Sequence, residues 1–298
     1  MSIQKYKLNI GKARRRVQMR SALLLTAGVC LLTSLVRLLL AVEIPYVLRW
    51  LMEMLTALLV FGGGAYVGLC VLDGDHANIV PLRKLSRGQM FWLSLLGVLA
   101  AAPVTLAWDL AAVLFGQRMQ LESTQAMDCM RFAAMMVKSV LLSPICEELF
   151  FRGYLLPALK PQGSLRAAVA VSLCFALTHA ATPASLCAYV LLSLLLCWMT
   201  MHTQSILAPV LMHAGYNLTL IVLDNAGLSS LFAGWSILSC FVRLLLCAAF
   251  MFVLKRAFTA RPAGGVFAIW EGGKLSRREI ALLVCAGLLL AATLIMGG

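Results

Sequence analysis

Charge is what this sequence has least of: Asp, Glu, Lys and Arg make up 12% of its 298 residues, against 62% hydrophobic ones. Soluble domains carry about 25% charged residues, so water is not the main solvent of this chain. No polar stretch is long enough to fold as a separate soluble domain, and there is no low-complexity linker and no fixed-period repeat. The ten cysteines form no CxxC pair and show no framework spacing. Most of them (Cys30, Cys70, Cys174, Cys187, Cys197, Cys240, Cys247 and Cys285) lie in apolar runs, where they behave as small hydrophobes. The alternating pattern of a membrane barrel is missing as well.

What is present is a series of apolar runs, each about 18 to 25 residues long and so long enough to cross a bilayer as a helix. They predict an all-α polytopic transmembrane bundle with spans at 22–42, 51–72, 91–115, 132–159, 165–181, 184–201, 205–223, 230–254 and 280–296. The first run follows basic residues like a signal peptide, but it has no obvious small-residue cleavage site and reads as a retained anchor. Residues 1–21 form a basic cytoplasmic terminus, 22–254 a membrane domain with an eight-helix core, 255–279 a Gly- and Pro-containing cytoplasmic linker, and 280–298 an additional C-terminal helix. In the second span Gly62, Gly63 and Gly64 suit close helix packing.

A net charge of +13 in a soluble protein would suggest nucleic acid, but here the charges mark topology and no nucleic-acid partner is expected. With Lys5, Lys7, Lys12, Arg14, Arg15, Arg16 and Arg20 inside, the other inside segments hold Arg83, Lys84, Arg87, Lys160, Arg166, Lys255, Arg256, Arg261, Lys274, Arg277 and Arg278. The outside loops hold only Arg49, Arg118 and Arg131. This predicts a multi-pass protein of the cell membrane, surrounded by lipid, with a cytoplasmic N-terminus.

Ionisable groups inside a bilayer are costly and are therefore candidates for function or for structural pairing. In the fourth span Glu147 and Glu148 are adjacent and point about 100° apart, so both cannot face one cavity. Arg152 lies at i+4 from Glu148 in the favourable order for an ion pair, which leaves Glu147 as the free carboxylate. His179 lies in the fifth span, and His213 with Asn217 shares one face of the seventh. Counted inward from the basic helix ends, Glu147 and His179 are each 13 residues deep and His213 is 10 residues from Thr203. The depths are level, at about 15 to 20 Å, which predicts a common cavity opening toward the cytoplasm.

A carboxylate and an imidazole at one buried point suit the activation of water. The second imidazole and Asn217 suit stabilisation of the oxyanion formed when hydroxide attacks an amide. Arg37, Lys138 and Arg243 are expected to snorkel or to pair across helices, and Asp109, near an outer helix end, to meet water. His202 is expected to be solvated, and Phe150, Phe151 and Phe175 to be mainly packing residues.

The motifs EExxxR (Glu147, Glu148, Arg152), FxxxH (Phe175, His179) and HxxxN (His213, Asn217), in order on separate spans, resemble the CPBP family of intramembrane proteases. That family includes type II CAAX prenyl endopeptidases and bacteriocin-processing or self-immunity proteins. The resemblance runs from Cys146 to Leu220, and Ile206-Leu-Ala-Pro209 resembles the family's approach to the last motif. It implies an endopeptidase in which Glu147 and His179 activate water, His213 and Asn217 stabilise the oxyanion, and Glu148 with Arg152 supports the site. Peptides or lipid-anchored proteins are the implied substrates.

The family is commonly named as metalloproteases, and Glu147, His179 and His213 would be the ligands if Zn2+ were bound, although HExxH is missing. The residues leave both mechanisms open. Two other readings stand beside the protease: a non-proteolytic scaffold or immunity protein, and a proton- or cation-coupled transporter. Against the transporter, the motif segment is not repeated in a second half.

Overall fold

Every apolar run among residues 3–71, 80–117, 128–179 and 182–258, which the computed structural model describes, is helical. We label the helices α1 (Ile3–Leu40), α2 (Tyr46–Cys70), α3 (Arg87–Leu114), α4 (Cys129–Leu159), α5 (Ser164–His179), α6 (Pro183–Thr203), α7 (Leu207–Asn225) and α8 (Ile237–Phe258). Seven are long and apolar enough to cross a membrane, and α5 is a shorter apolar helix. The eight helices of the expected core are thus present, while the ninth expected span, the linker before it and His76 lie outside the described residues. Among the described residues the only β-type pairing is a bridge between Leu82 and Ser205, which ties the segment before α3 to the α6–α7 turn.

Leu31, Leu35, Leu38, Phe241, Leu244 and Phe252 are more than half exposed, as lipid-facing residues of outer helices would be. Inside, two apolar clusters share the bundle. The first joins α1, α2, α4 and α5 around Phe150, Phe151, Tyr154 and Phe175, confirming these phenylalanines as packing residues. The second joins α3, α6, α7 and α8 around Leu96, Leu192, Leu196 and Met212. The motif residues come from both, so the site lies along the seam between them.

Two pairs of charges hold helices together. Lys138 on α4 bonds Glu53 on α2. Arg243 on α8 donates to Asp109 on α3 at 2.5 Å and also to the Gly234 carbonyl. Of the two expectations for these cations, snorkelling or pairing across helices, both take the second. Asp109, however, does not meet water: it is 1% exposed, because Arg243 reaches it from a helix more than a hundred residues away. His202, expected to be solvated, is partly exposed, and its ring also stacks on Trp198 with centroids 5.4 Å apart.

Close packing falls partly where the sequence suggested. A Cβ on Gly64 would stand 3.1 Å from Val29 and 3.3 Å from Phe150, whereas Gly63 meets only its own helix. The tightest crossing is elsewhere, between α3 and α7: a Cβ on Gly97 would lie 2.3 Å from the Met212 carbonyl oxygen, and one on Gly215 2.7 Å from that of Ser94. Backbone cannot rotate aside as a side chain can, so the helices would have to separate. Gly97→Ala is therefore expected to destabilise the protein by about 1–3 kcal/mol, read as a lowered melting temperature in detergent. Because Met212 precedes His213, the same change is expected to reduce activity.

Candidate active site

The helix that carries the two glutamates is not regular. Short π-helical stretches at Met136–Leu142 and Leu149–Leu155 flank the α-helical turn Ser143–Glu148, and such insertions often occur at functional positions. Pro144 explains part of this. In the π register Ser143 N donates to the Lys138 carbonyl, so the next acceptor, Ser139 O, would need a proton from Pro144, which has none. Asn217 of α7 supplies it instead, its Nδ2 donating to Ser139 O at 2.7 Å.

The 100° between adjacent helical residues sends the two carboxylates to different partners. Glu148 is fully buried and accepts from Arg152 Nη1 at 2.9 Å. Arg152 extends to α6, where Nη2 donates to the Ser193 hydroxyl at 2.7 Å and to its carbonyl at 3.1 Å. The same Glu148 oxygen lies 2.9 Å from His213 Nδ1. The expected Glu148–Arg152 pair is present, with His213 added to it.

Glu147 faces the other way. Ser143, one turn back, donates to its Oε1 at 2.9 Å. Its Oε2 has no aligned hydrogen bond but lies 3.2 Å from His179 Nε2 and 4.0 Å from His213 Nε2. At only 16 residues, α5 rises about 24 Å, short of the roughly 30 Å hydrocarbon thickness, so His179 at its C-terminal end stays at membrane depth. Its Nδ1 lies 3.0 Å from both the Phe175 carbonyl and the Thr178 hydroxyl, and the hydroxyl proton is used on that carbonyl at 2.7 Å. Nδ1 therefore carries a hydrogen and donates, which turns Nε2 toward Glu147.

The Phe175 ring organises the centre. It stacks on His179 with centroids 4.3 Å apart, meets His213 edge-on at 5.7 Å, and lies 4.8 Å from the Arg152 guanidinium carbon. Residues the sequence reading missed are Ser143, Ser193 and Tyr189, whose ring lies 5.3 Å from that of His179. Ser143 had a signal, being four residues before Glu147 on the same helix face. Ser193 and Tyr189 had none, since their contacts come from the meeting of α6 with α4 and α5.

Glu147, His179, His213 and Asn217 all line one recess of about 540 Å³, and Glu148 and Arg152 lie behind it. Level depth was thus a sound guide, but the direction of opening was not. From Glu147 and His213 near mid-helix, the lining continues to Arg37 and Leu40 on α1, Glu53 on α2, Lys138 on α4 and Leu220 on α7. The recess therefore runs to the helix ends opposite the basic ones. The count from the basic ends gave the right plane, which is close to the middle of the helices and so equally compatible with access from either end.

Residues 130–219 match the family model described as Type II CAAX prenyl endopeptidase Rce1-like. The chain carries a CPBP-family domain. That Rce1-like segment holds all six motif residues, from Glu147 to Asn217, and the match supports an intramembrane protease. No curated protein and no solved structure matches the chain.

A protein zinc site needs at least three side-chain ligands converging on one point. Among the described residues no three His, Cys, Asp or Glu side chains are grouped so as to hold a metal ion. Ser143 occupies Glu147 Oε1, and Oε2, 3.2 Å from His179 Nε2 without an aligned hydrogen bond, is left for a water. The residues present do not fit a zinc site, and no step below is routed through one.

Proposed function

We propose that the protein is an intramembrane endopeptidase in which Glu147 and His179 activate a water molecule for attack on a peptide carbonyl. The observation that carries this reading is the under-bonded Glu147 Oε2, buried at the wall of the recess and 3.2 Å from His179 Nε2. A water seated there gives a proton to Glu147 as its oxygen bonds the carbonyl carbon. The carbonyl π electrons move to oxygen, and the resulting oxyanion takes hydrogen bonds from His213 and from the second N–H of Asn217. Collapse breaks the C–N bond, and the proton held by Glu147 passes to the departing amine.

The contacts of His213 add a condition. Its Nδ1 faces Glu148, an acceptor already ion-paired with Arg152, so that nitrogen carries a hydrogen. Donation from Nε2 to an oxyanion then requires the imidazolium form, flanked by the Glu148 and Glu147 carboxylates. Glu148 and Arg152 act through His213 and are positioning residues. Substrates are peptides or lipid-anchored proteins whose scissile segment can enter the recess.

The test is hydrolysis of a quenched-fluorescent peptide library by the purified protein in detergent, beside His179→Ala and His213→Ala. Only the wild type is expected to cleave, and a zinc chelator is expected to leave its rate unchanged. Equal rates in all three proteins would contradict the assignment; loss of activity to the chelator, restored by zinc, would replace the glutamate-base scheme with a metal one.

A further inference from the structure

The recess and the basic residues occupy opposite ends of the bundle, and this has a consequence for the substrate. The lining lies in the half nearest one end on α1 (Thr33 to Leu40), α5 (Thr178 and His179) and α6 (Tyr189 and Leu192), and on α2, α4 and α7 it runs from near mid-helix toward that same end, to Glu53, Lys138 and Leu220. The mouth is thus on the side of the α1–α2, α3–α4, α5–α6 and α7–α8 connections. The other side carries Arg20, Arg83, Lys84, Arg87, Lys160, Arg166, Lys255 and Arg256, together with the basic residues before Arg20.

On the mouth side the loops hold few cations. Arg131 is ion-paired with Asp128 at 3.3 Å, and the guanidinium lies 5.0 Å from the centre of the Tyr46 ring. Glu43 and Asp224 also belong to this side. Lys and Arg near helix ends stay in the cytoplasm during insertion, so the bias fixes which end of the bundle faces out.

We infer that the active-site recess opens to the non-cytoplasmic side of the membrane and that its substrates are polypeptides presented there: exported peptides, or anchored proteins whose cleavage segment lies outside. The substrate class rests on the protease reading; the orientation does not. A cytoplasmic protein, prenylated or not, would meet the basic end, away from the recess lining. The Lys138–Glu53 pair and Arg37 at the mouth lie where a polar chain enters from water.

Accessibility to a membrane-impermeant maleimide tests the orientation. Cys70, Cys129 and Cys187 are the exposed thiols among the described residues and are first replaced by Ser. Glu43→Cys and Gln204→Cys, at exposed turns on opposite ends, are then made singly. The Glu43→Cys protein is expected to be labelled in intact cells, and the Gln204→Cys protein only after permeabilisation. The reverse pattern would overturn the inference.

A quenched peptide added outside proteoliposomes oriented with position 43 outward is expected to be cleaved by wild type and not by Glu147→Gln. Cleavage only of peptide trapped inside would overturn the substrate class. Absence of cleavage on both sides, with labelling as expected, would remove the protease reading and leave the orientation standing.

Discussion

Glu147→Gln is expected to slow peptide hydrolysis by about 10²–10⁴-fold, the usual contribution of a positioned general base. The amide keeps the size of the carboxylate and an oxygen that accepts from Ser143, so the helix turn around it has no reason to change. What it loses is the ability to take a proton from water beside His179. The loss corresponds to about 3–5 kcal/mol of barrier and should appear in kcat, with KM and the detergent melting temperature close to wild type. A fall in melting temperature of the same order as that of a core mutant would instead assign Glu147 a structural role.

Arg152→Ala is expected to be strongly destabilising. Arg152 is fully buried and joins three partners: Glu148, the Ser193 hydroxyl and the Ser193 carbonyl. Removing it leaves the Glu148 carboxylate uncompensated in a low-dielectric interior, which typically costs about 3–5 kcal/mol. The guanidinium also packs over Phe175, the ring on which His179 is stacked, so the damage reaches the site.

Arg243→Ala removes a similarly buried pair with Asp109 and is expected to cost a comparable amount by the same reasoning. Its helix lines no part of the recess. Folded Arg243→Ala protein should therefore retain activity that folded Arg152→Ala protein lacks. The two denaturation midpoints and the specific activity of the folded fractions, measured side by side, separate support of the site from support of the bundle.

Spans and site were legible in the sequence for the same reason: both depend on regularities that a helix imposes. Apolar length marks each crossing, and rise per residue turns position into depth, so Glu147, His179 and His213 could be placed in one plane before any contact was known. The i, i+4 relation likewise exposed the Glu148–Arg152 pair.

What was not legible arises between helices far apart in the chain. Asp109 was expected in water because Arg243 gives no local sign of reaching it. Gly97 and Gly215 were overlooked because a lone glycine in an apolar run carries no message until a second backbone lies against it. The engagement of Asn217 with Ser139 required knowing that the helix before Pro144 adopts π geometry. Direction of access failed for a different reason: depth from one end says nothing about which end is open.

The central claim is that side chains from separate helices act on one water as a unit. A double-mutant cycle in hydrolysis rate with Glu147→Gln and His179→Asn tests it most directly. Groups that serve one step together are strongly non-additive, so the double variant is predicted to be no slower than the slower single variant. Losses that multiply, each change acting as if the other residue were intact, would contradict the account.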